Sequence, residues 1–132
     1  MKHSVSWVHG LSRVTVAFVW IYHGLVPKLL GPHQDELHLA SLHGLQGDHL
    51  PLLLKASGVA EIVFGIAVLV FWRSRWPFVF SAVVLIVLLV DVAMVAPEYL
   101  WGAFNPVSLN LSVISLSFTG FITASHGADK HA

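Results

Sequence analysis

The sequence predicts an all-α integral membrane protein, a four-helix bundle with a short amphipathic segment in its first outer loop. Apolar residues make up 56% of the 132-residue chain and charged residues only 11%, whereas a soluble domain carries about a quarter charged residues. Four segments are apolar over a length that crosses a hydrocarbon core, which takes roughly 17–25 residues. We therefore expect one transmembrane domain over residues 1–132, with spans near residues 14–30, 50–72, 77–96 and 107–124.

The connections between these spans predict how the helices are arranged. Backbone groups inside a bilayer must pair with one another, so spanning segments are helices. The connections at residues 73–76 and 97–106 are short, which makes neighbouring helices antiparallel. The loop at residues 31–49 is longer and contains a proline followed by two acidic residues, a pattern that favours a helix start. We expect a short helix there, ended by Gly44 and Gly47.

The basic residues predict the orientation of the chain. Cytoplasmic loops carry an excess of lysine and arginine, and an internal amino terminus places five basic residues inside and two outside. The inner residues are Lys2, Arg13, Arg73, Arg75 and Lys130, and the outer ones are Lys28 and Lys55. Both termini are therefore expected in the cytoplasm, with the lipid bilayer as the main partner.

Composition also excludes several classes of function. The net charge is zero and no basic stripe exists, so nothing indicates a nucleic-acid partner. The chain has no cysteine, which rules out disulfides, thiolate catalysis and cysteine-bound clusters. Four short helices bury little area, so we expect a homo-oligomer, most simply a dimer, or a complex with a redox partner protein.

Ionisable residues within the spans predict a site in the outer half of the bundle. Glu61 lies near the middle of the second span, and His23 and Asp91 lie roughly 10 Å and 8 Å below the outer ends of theirs, at 1.5 Å per residue. A charged group at the bilayer centre costs several kcal/mol, so these groups should face each other or a polar cleft. We interpret His23, Glu61 and Asp91 as the catalytic, proton-contacting groups. The ligand-binding candidates around them are Lys28, Glu36, Asn105, Asn110 and Tyr22.

Two alternatives to this interpretation remain open. The polar residues could instead pair only with one another and bind no ligand. In that case a protonated Glu61 would be hydrogen-bonded to a neighbour, or His23 would be paired with Asp91. A metal ion could instead be bound by the outer loop, whose weak candidate ligands are His33, His38, His43 and His49. Their spacings of five and six residues do not suit one helix face, where ligands three or four residues apart are neighbours.

Four stretches of the chain resemble the DoxX-like family of small four-helix bacterial membrane proteins. They are "WIYHGLVPKLL" at residues 20–30, "PHQDEL" at 32–37, "SGVAEIVFGI" at 57–66 and "FNPVSLNLSVISLS" at 104–117. The resemblance implies a four-helix bundle in the bacterial cytoplasmic (inner) membrane. It also implies an association with quinone-linked thiosulfate oxidation or with membrane redox complexes. Thiol-relay chemistry of relatives cannot apply to a chain without cysteine.

These observations lead to one leading hypothesis and two alternatives. The leading one is an intramembrane polar pocket that belongs to a subunit of a quinone-linked redox system, with quinone as the cofactor or substrate and an oxidoreductase role. The first alternative is a transporter, or a module that binds metal or protons, built on the same carboxylates. The second is a non-enzymatic assembly subunit.

Overall fold

The computed structural model describes residues 2–31, 33–47 and 49–124, with Lys2 described by its backbone only. Every regular element within these ranges is helical. The elements are α1 (Lys2–Gly24), a π-helical segment (Leu25–Leu29), α2 (Gln34–Leu42), α3 (Leu50–Val70), α4 (Trp76–Val95), a 3-10 helix (Pro97–Trp101) and α5 (Pro106–Ala124). The all-helical class predicted from the sequence is confirmed.

Three of the described helices, α3, α4 and α5, are each long and apolar enough to cross a membrane. The first part of the chain provides a fourth span if residues His3–Leu29 and α2 are taken together as one broken pair, bent by 88°. Large apolar side chains cover the outside of these helices, including Val63, Val87 and Phe118, which are 60%, 60% and 65% exposed. Such surfaces are stable in lipid, and the chain is a membrane protein.

The first helix is longer than the sequence predicted. It begins at Lys2 rather than near residue 14, and no proline interrupts it before Pro27. Pro27 has no backbone N–H and its ring clashes with the carbonyl four residues earlier. A π-helical turn accommodates Pro27, and in this turn the Leu30 N–H donates to the Leu25 carbonyl oxygen at 3.0 Å. Breaks of this type are frequent at functional sites.

Glycines set the close approach of α1 and α3. A Cβ atom on Gly58 would lie 2.6 Å from the Gly24 carbonyl oxygen, and one on Gly65 would lie 2.9 Å from the Ala17 carbonyl oxygen. Gly24 itself has ordinary helical angles, φ −68° and ψ −40°. Its small size, rather than its conformational freedom, therefore allows the close approach of the two helices. Glycines of this kind let membrane helices pack backbone to backbone. These contacts pair α1 and α3 in antiparallel order.

The packed core contains side chains of all four long helices, α1, α3, α4 and α5. Phe78 of α4 is 1% exposed and fills the space that a side chain at Gly120 of α5 would occupy. Beside it, the Trp20 indole N–H donates to Ser81 Oγ at 2.9 Å. Ser117 Oγ donates to the same oxygen at 3.3 Å. These bonds satisfy buried polar groups on three helices at once, which fixes their relative rotation.

Candidate functional site

A central cavity of about 280 Å³ lies at the end of the bundle that carries α2, here called the α2 end. Its walls combine apolar side chains with ionisable ones. The ionisable residues come from five helical segments and the turn after α2: His23, Lys28, Glu36, His43, Glu61 and Asp91. The apolar walls include Trp20, Leu54, Leu85, Leu88 and Val113. The structure thus brings together the three predicted catalytic residues at one cavity.

Lys28 connects two carboxylates at this cavity. Its Nζ lies 2.5 Å from Glu61 Oε1 and 3.8 Å from Glu36 Oε2. The Lys28 and Glu61 side chains are only 13% and 16% exposed, which reduces the screening of their attraction by solvent. Glu61 Oε2 is also buried, and among the described residues it has no hydrogen-bond partner. The pair therefore leaves one carboxylate oxygen without a donor.

Asp91 is paired with His43, the residue that follows α2. His43 Nε2 lies 2.9 Å from Asp91 Oδ1, and His43 Nδ1 lies 2.9 Å from the Leu39 carbonyl oxygen. The hydrogen bond to Asp91 raises the pKa of His43 above 6.5, and the bond to Leu39 and the charge of Asp91 add to that effect. The pairing of His23 with Asp91, one of the alternatives from the sequence, is not what the structure has. His23 lines the same cavity.

The other loop histidines lie at α2 and at the start of α3, where His49 is the N-cap residue of α3. His33 caps the helix, since its Nδ1 accepts the Asp35 N–H at 3.4 Å. The His38 ring lies 6.3 Å from the ring of Tyr99. Within the described residues, no group of three or more histidine, cysteine or acidic side chains is arranged to hold a metal ion.

A second, wider groove of about 530 Å³ adjoins the central cavity. His23 and Asn110 line both spaces. Asn105 lines only the groove, and its side-chain oxygen accepts the Ser108 N–H at 2.9 Å at the start of α5. Tyr22 lines neither space. It is 50% exposed and packs against Phe18 at 5.8 Å, because one residue along a helix turns the side chain by about 100° away from His23.

At the opposite end of the bundle, Arg13 is fully buried. Its guanidinium donates to the carbonyl oxygens of Val68, Phe71 and Ser74 at 2.6, 2.8 and 2.7 Å. It also donates to His9 Nε2 at 3.3 Å. Sequence reasoning placed Arg13 only at the inner membrane face. The available signal was the four-residue spacing of His9 and Arg13, which puts both on one helix face.

Comparison with known proteins identifies the family. The model of the DoxX-like family matches residues 17–118. The chain belongs to the DoxX-like family. Comparisons with curated proteins and with solved structures find no match. The matched region includes α3 and α4 entirely, and with them Glu61 and Asp91, so the cavity is built from the part of the chain that defines the family.

Proposed function

We propose that this DoxX-like protein binds the head group of a quinone in its central cavity and acts as a membrane subunit of a redox system. The observation that carries this proposal is the convergence of His23, Lys28, Glu61 and Asp91 on one cavity with apolar walls. Small-molecule sites have this composition, mostly apolar with a few convergent polar groups. An amphipathic molecule that is soluble in the bilayer suits both parts of the lining.

The size of the two spaces supports a single-ring head group. At about 280 Å³, the central cavity lies just below the usual size of ligand sites, which measure roughly 300–1,000 Å³. The wider groove shares His23 and Asn110 with it and offers a path for an attached chain. Lys28 Nζ and the Asn110 amide supply hydrogen-bond donors of the type that quinone oxygens accept.

The ionisable residues of this chain hold and move protons in the proposed site. If a quinone is bound, its reduction to a quinol would take two electrons from a partner redox protein and two protons, which Glu61 and His23 would take up from the aqueous side and pass on. Glu61 is suited to accept a proton, because its buried Oε2 has no donor among the described residues and an unpaired buried oxygen costs free energy. His23 is placed to pass protons, because it lines both the central cavity and the adjoining groove and its ring carries two nitrogens that can donate or accept. Lys28 holds Glu61 in position.

The proposed setting is the bacterial cytoplasmic membrane, with both termini in the cytoplasm. The excess of basic residues at the end opposite α2 supports this orientation. The cavity then opens toward the outer half of the bilayer, where a quinone can enter. The chain has no cysteine for a thiol relay, and we include in the proposal a redox partner protein, or a second copy of the chain in a homo-oligomer.

Photolabelling tests the proposal directly. The purified protein in phosphatidylcholine nanodiscs is illuminated with an azidoquinone that carries a ten-carbon tail, and the labelled peptides are mapped by mass spectrometry. We expect labelling of peptides that contain Trp20, Leu54 or Leu88, and competition by the unlabelled quinone. His23→Ala and Glu61→Gln should each reduce specific labelling by about tenfold, which corresponds to about 1.4 kcal/mol.

Matched controls come from the same chain. His3→Ala removes an exposed histidine of α1, and Glu98→Gln removes an exposed carboxylate after α4, so both should label like the natural protein. Labelling that is not competed, or that is unchanged in His23→Ala and Glu61→Gln, would contradict the proposal. Proton or cation uptake by quinone-free proteoliposomes, together with absent labelling, would assign the cavity to transport instead.

A further inference from the structure

We propose that α2 is a lid over the central cavity and that a proton held between His43 and Asp91 keeps this lid closed. The lid is α2 with the turn after it, residues 34–43. It places Glu36, Leu39, Ala40 and His43 on the cavity wall. This inference goes beyond the proposed function, since it concerns access to the cavity and holds for any ligand.

Polar contacts rather than core packing hold the lid in place. All residues of α2 are described, and none of them is buried. Ionisable side chains of the lid instead contact other segments of the chain at three points. Glu36 meets Lys28 at 3.8 Å, Asp35 accepts the Tyr99 hydroxyl at 3.2 Å, and His43 meets Asp91 at 2.9 Å. An element with few buried contacts opens at a lower free energy than the core does.

The conformation after α2 shows where the chain can turn as the lid moves. Gly44 and Gly47 both have left-handed backbone angles, with φ of 77° and 86°. Such angles are readily accessible to glycine and are unfavourable for other residues. Among the described residues, no heavy atom lies within 4 Å of a Cβ atom built on either glycine, chain neighbours aside. Gly44 and Gly47, which follow the lid, therefore combine a permissive backbone with open space.

The geometry of His43 requires an added proton. Its Nδ1 faces a carbonyl oxygen of Leu39 and its Nε2 faces a carboxylate oxygen of Asp91, both at 2.9 Å. Both partners are acceptors, so both ring nitrogens must donate, and only the imidazolium does so. With a neutral His43, the second contact requires a protonated Asp91. In either case the closed pair holds one proton more than a neutral imidazole beside a carboxylate.

This proton can exchange with the aqueous side. The His43 and Asp91 side chains are 39% and 40% exposed, in contrast to the more buried Lys28 and Glu61. Five titratable or charged groups share the cavity with His43, one each from α1, the π-helical segment, α2, α3 and α4: His23, Lys28, Glu36, Glu61 and Asp91. The part of α5 that lines the cavity contributes Pro106, Leu109, Asn110 and Val113, none of which titrates. Asp91 is the one in direct contact, so its loss should remove most of the effect of pH on the lid.

Double electron–electron resonance, which measures the distance between two spin labels, tests the lid without any ligand. The chain has no cysteine, so Leu42→Cys on α2 and Met94→Cys on α4, both exposed, give two unique spin-label sites. In phosphatidylcholine nanodiscs we expect one narrow distance at pH 5.5 and an added, longer population at pH 8.5. In the same double-cysteine background, His43→Gln cannot titrate and should show the same distribution at both pH values.

A label pair within the bundle serves as the control. Met94→Cys with Leu111→Cys joins α4 to α5 at two exposed positions, and its distance should not change with pH. A single distribution for the lid pair at both pH values would overturn the proposal. A pH-dependent change that persists in His43→Gln would overturn it as well. Neither outcome depends on quinone binding, so failure of the lid and failure of the proposed function are distinguishable.

Discussion

Lys28 Nζ lies 2.5 Å from Glu61 Oε1, so an ion pair joins the π-helical end of α1 to the middle of α3. Gly58 makes this contact possible. A Cβ atom at that position would lie 2.9 Å from the Lys28 Cβ atom, and its absence lets the lysine stem lie against α3. The position of this ion pair at the cavity thus depends on three features: the helix break at Pro27, the absence of a side chain at Gly58, and the opposite charges of the two partners.

Lys28→Met should destabilise the protein more than loss of both charges does. Removal of one partner leaves Glu61 as a largely buried, unpaired carboxylate, which in buried pairs costs roughly 3–5 kcal/mol. We expect the lower end of that range, because the two side chains are 13% and 16% exposed. The double variant Lys28→Met/Glu61→Gln should recover much of the loss. Thermal unfolding in detergent measures both, with Lys55→Met on the exposed side of α3 as the control.

Equal destabilisation by the single and double variants would contradict this coupling. In that case Lys28 would contribute through its aliphatic stem alone, which packs against apolar surface whether or not Glu61 is charged. Lys28→Gln separates the two contributions further, because it shortens the stem and keeps a hydrogen-bond donor.

Gly58→Ala should separate α1 from α3. The added methyl group would lie 2.6 Å from the Gly24 carbonyl oxygen, and overpacking of this kind costs about 1–3 kcal/mol. Gly10→Ala is the matched control, since its Cβ would meet Trp72 at an ordinary 3.8 Å and alanine favours a helix by about 0.5–1 kcal/mol over glycine. Thermal unfolding of the two variants should therefore change in opposite directions. Equal unfolding temperatures would show that the two helices can move apart without cost.

The depth of each polar residue in its helix could be predicted from the sequence. The residue with which each one pairs could not. A rise of 1.5 Å per residue and antiparallel order suffice to place His23, Glu61 and Asp91 in one layer, and all three line the central cavity. The rotation of each helix about its axis depends on packing between helices. Asp91 consequently meets His43 of the turn after α2 rather than His23.

Arg13 illustrates the same limit at the other end of the bundle. Basic residues near the end of a span are typical of the membrane interface, so sequence reasoning placed it there. Its full burial depends on the carbonyl groups at the end of α3, which lie 55 or more positions away in sequence. A pattern among neighbouring residues cannot indicate a contact between residues so far apart in sequence.

Arg13→Ala should strongly destabilise the turn between α3 and α4. The substitution removes a donor from three carbonyl oxygens, those of Val68, Phe71 and Ser74, although the Phe71 oxygen keeps the Ser74 N–H. Each carbonyl that remains buried without another donor costs about 1–3 kcal/mol. Arg13→Lys should rescue little, because an ammonium lacks the planar fork that reaches several acceptors. Thermal unfolding and the yield of folded protein measure the loss. Arg73→Ala, on the exposed part of the turn, should behave like the natural protein.

Rescue of Arg13→Ala by lysine to the natural level would contradict the geometric explanation and leave charge as the important property. The aromatic rings of Trp72 and Phe78, whose centroids lie 5.7 and 4.5 Å from the guanidinium carbon, offer a second readout. Their fluorescence and near-ultraviolet dichroism should change in Arg13→Ala.

The His43–Asp91 pair should make the position of α2 dependent on pH. Because the pKa of His43 in the folded protein lies above the ordinary value of 6.5, the pair's stabilising effect is fully present below pH 6.5 and is lost as pH rises through the raised pKa. An NMR titration of ¹⁵N-labelled histidine in nanodiscs measures this pKa directly. In Asp91→Asn, whose amide bears no charge, the midpoint of the His43 titration should fall back toward 6.5. An unchanged His43 midpoint in Asp91→Asn would show that the Leu39 carbonyl alone sets its protonation.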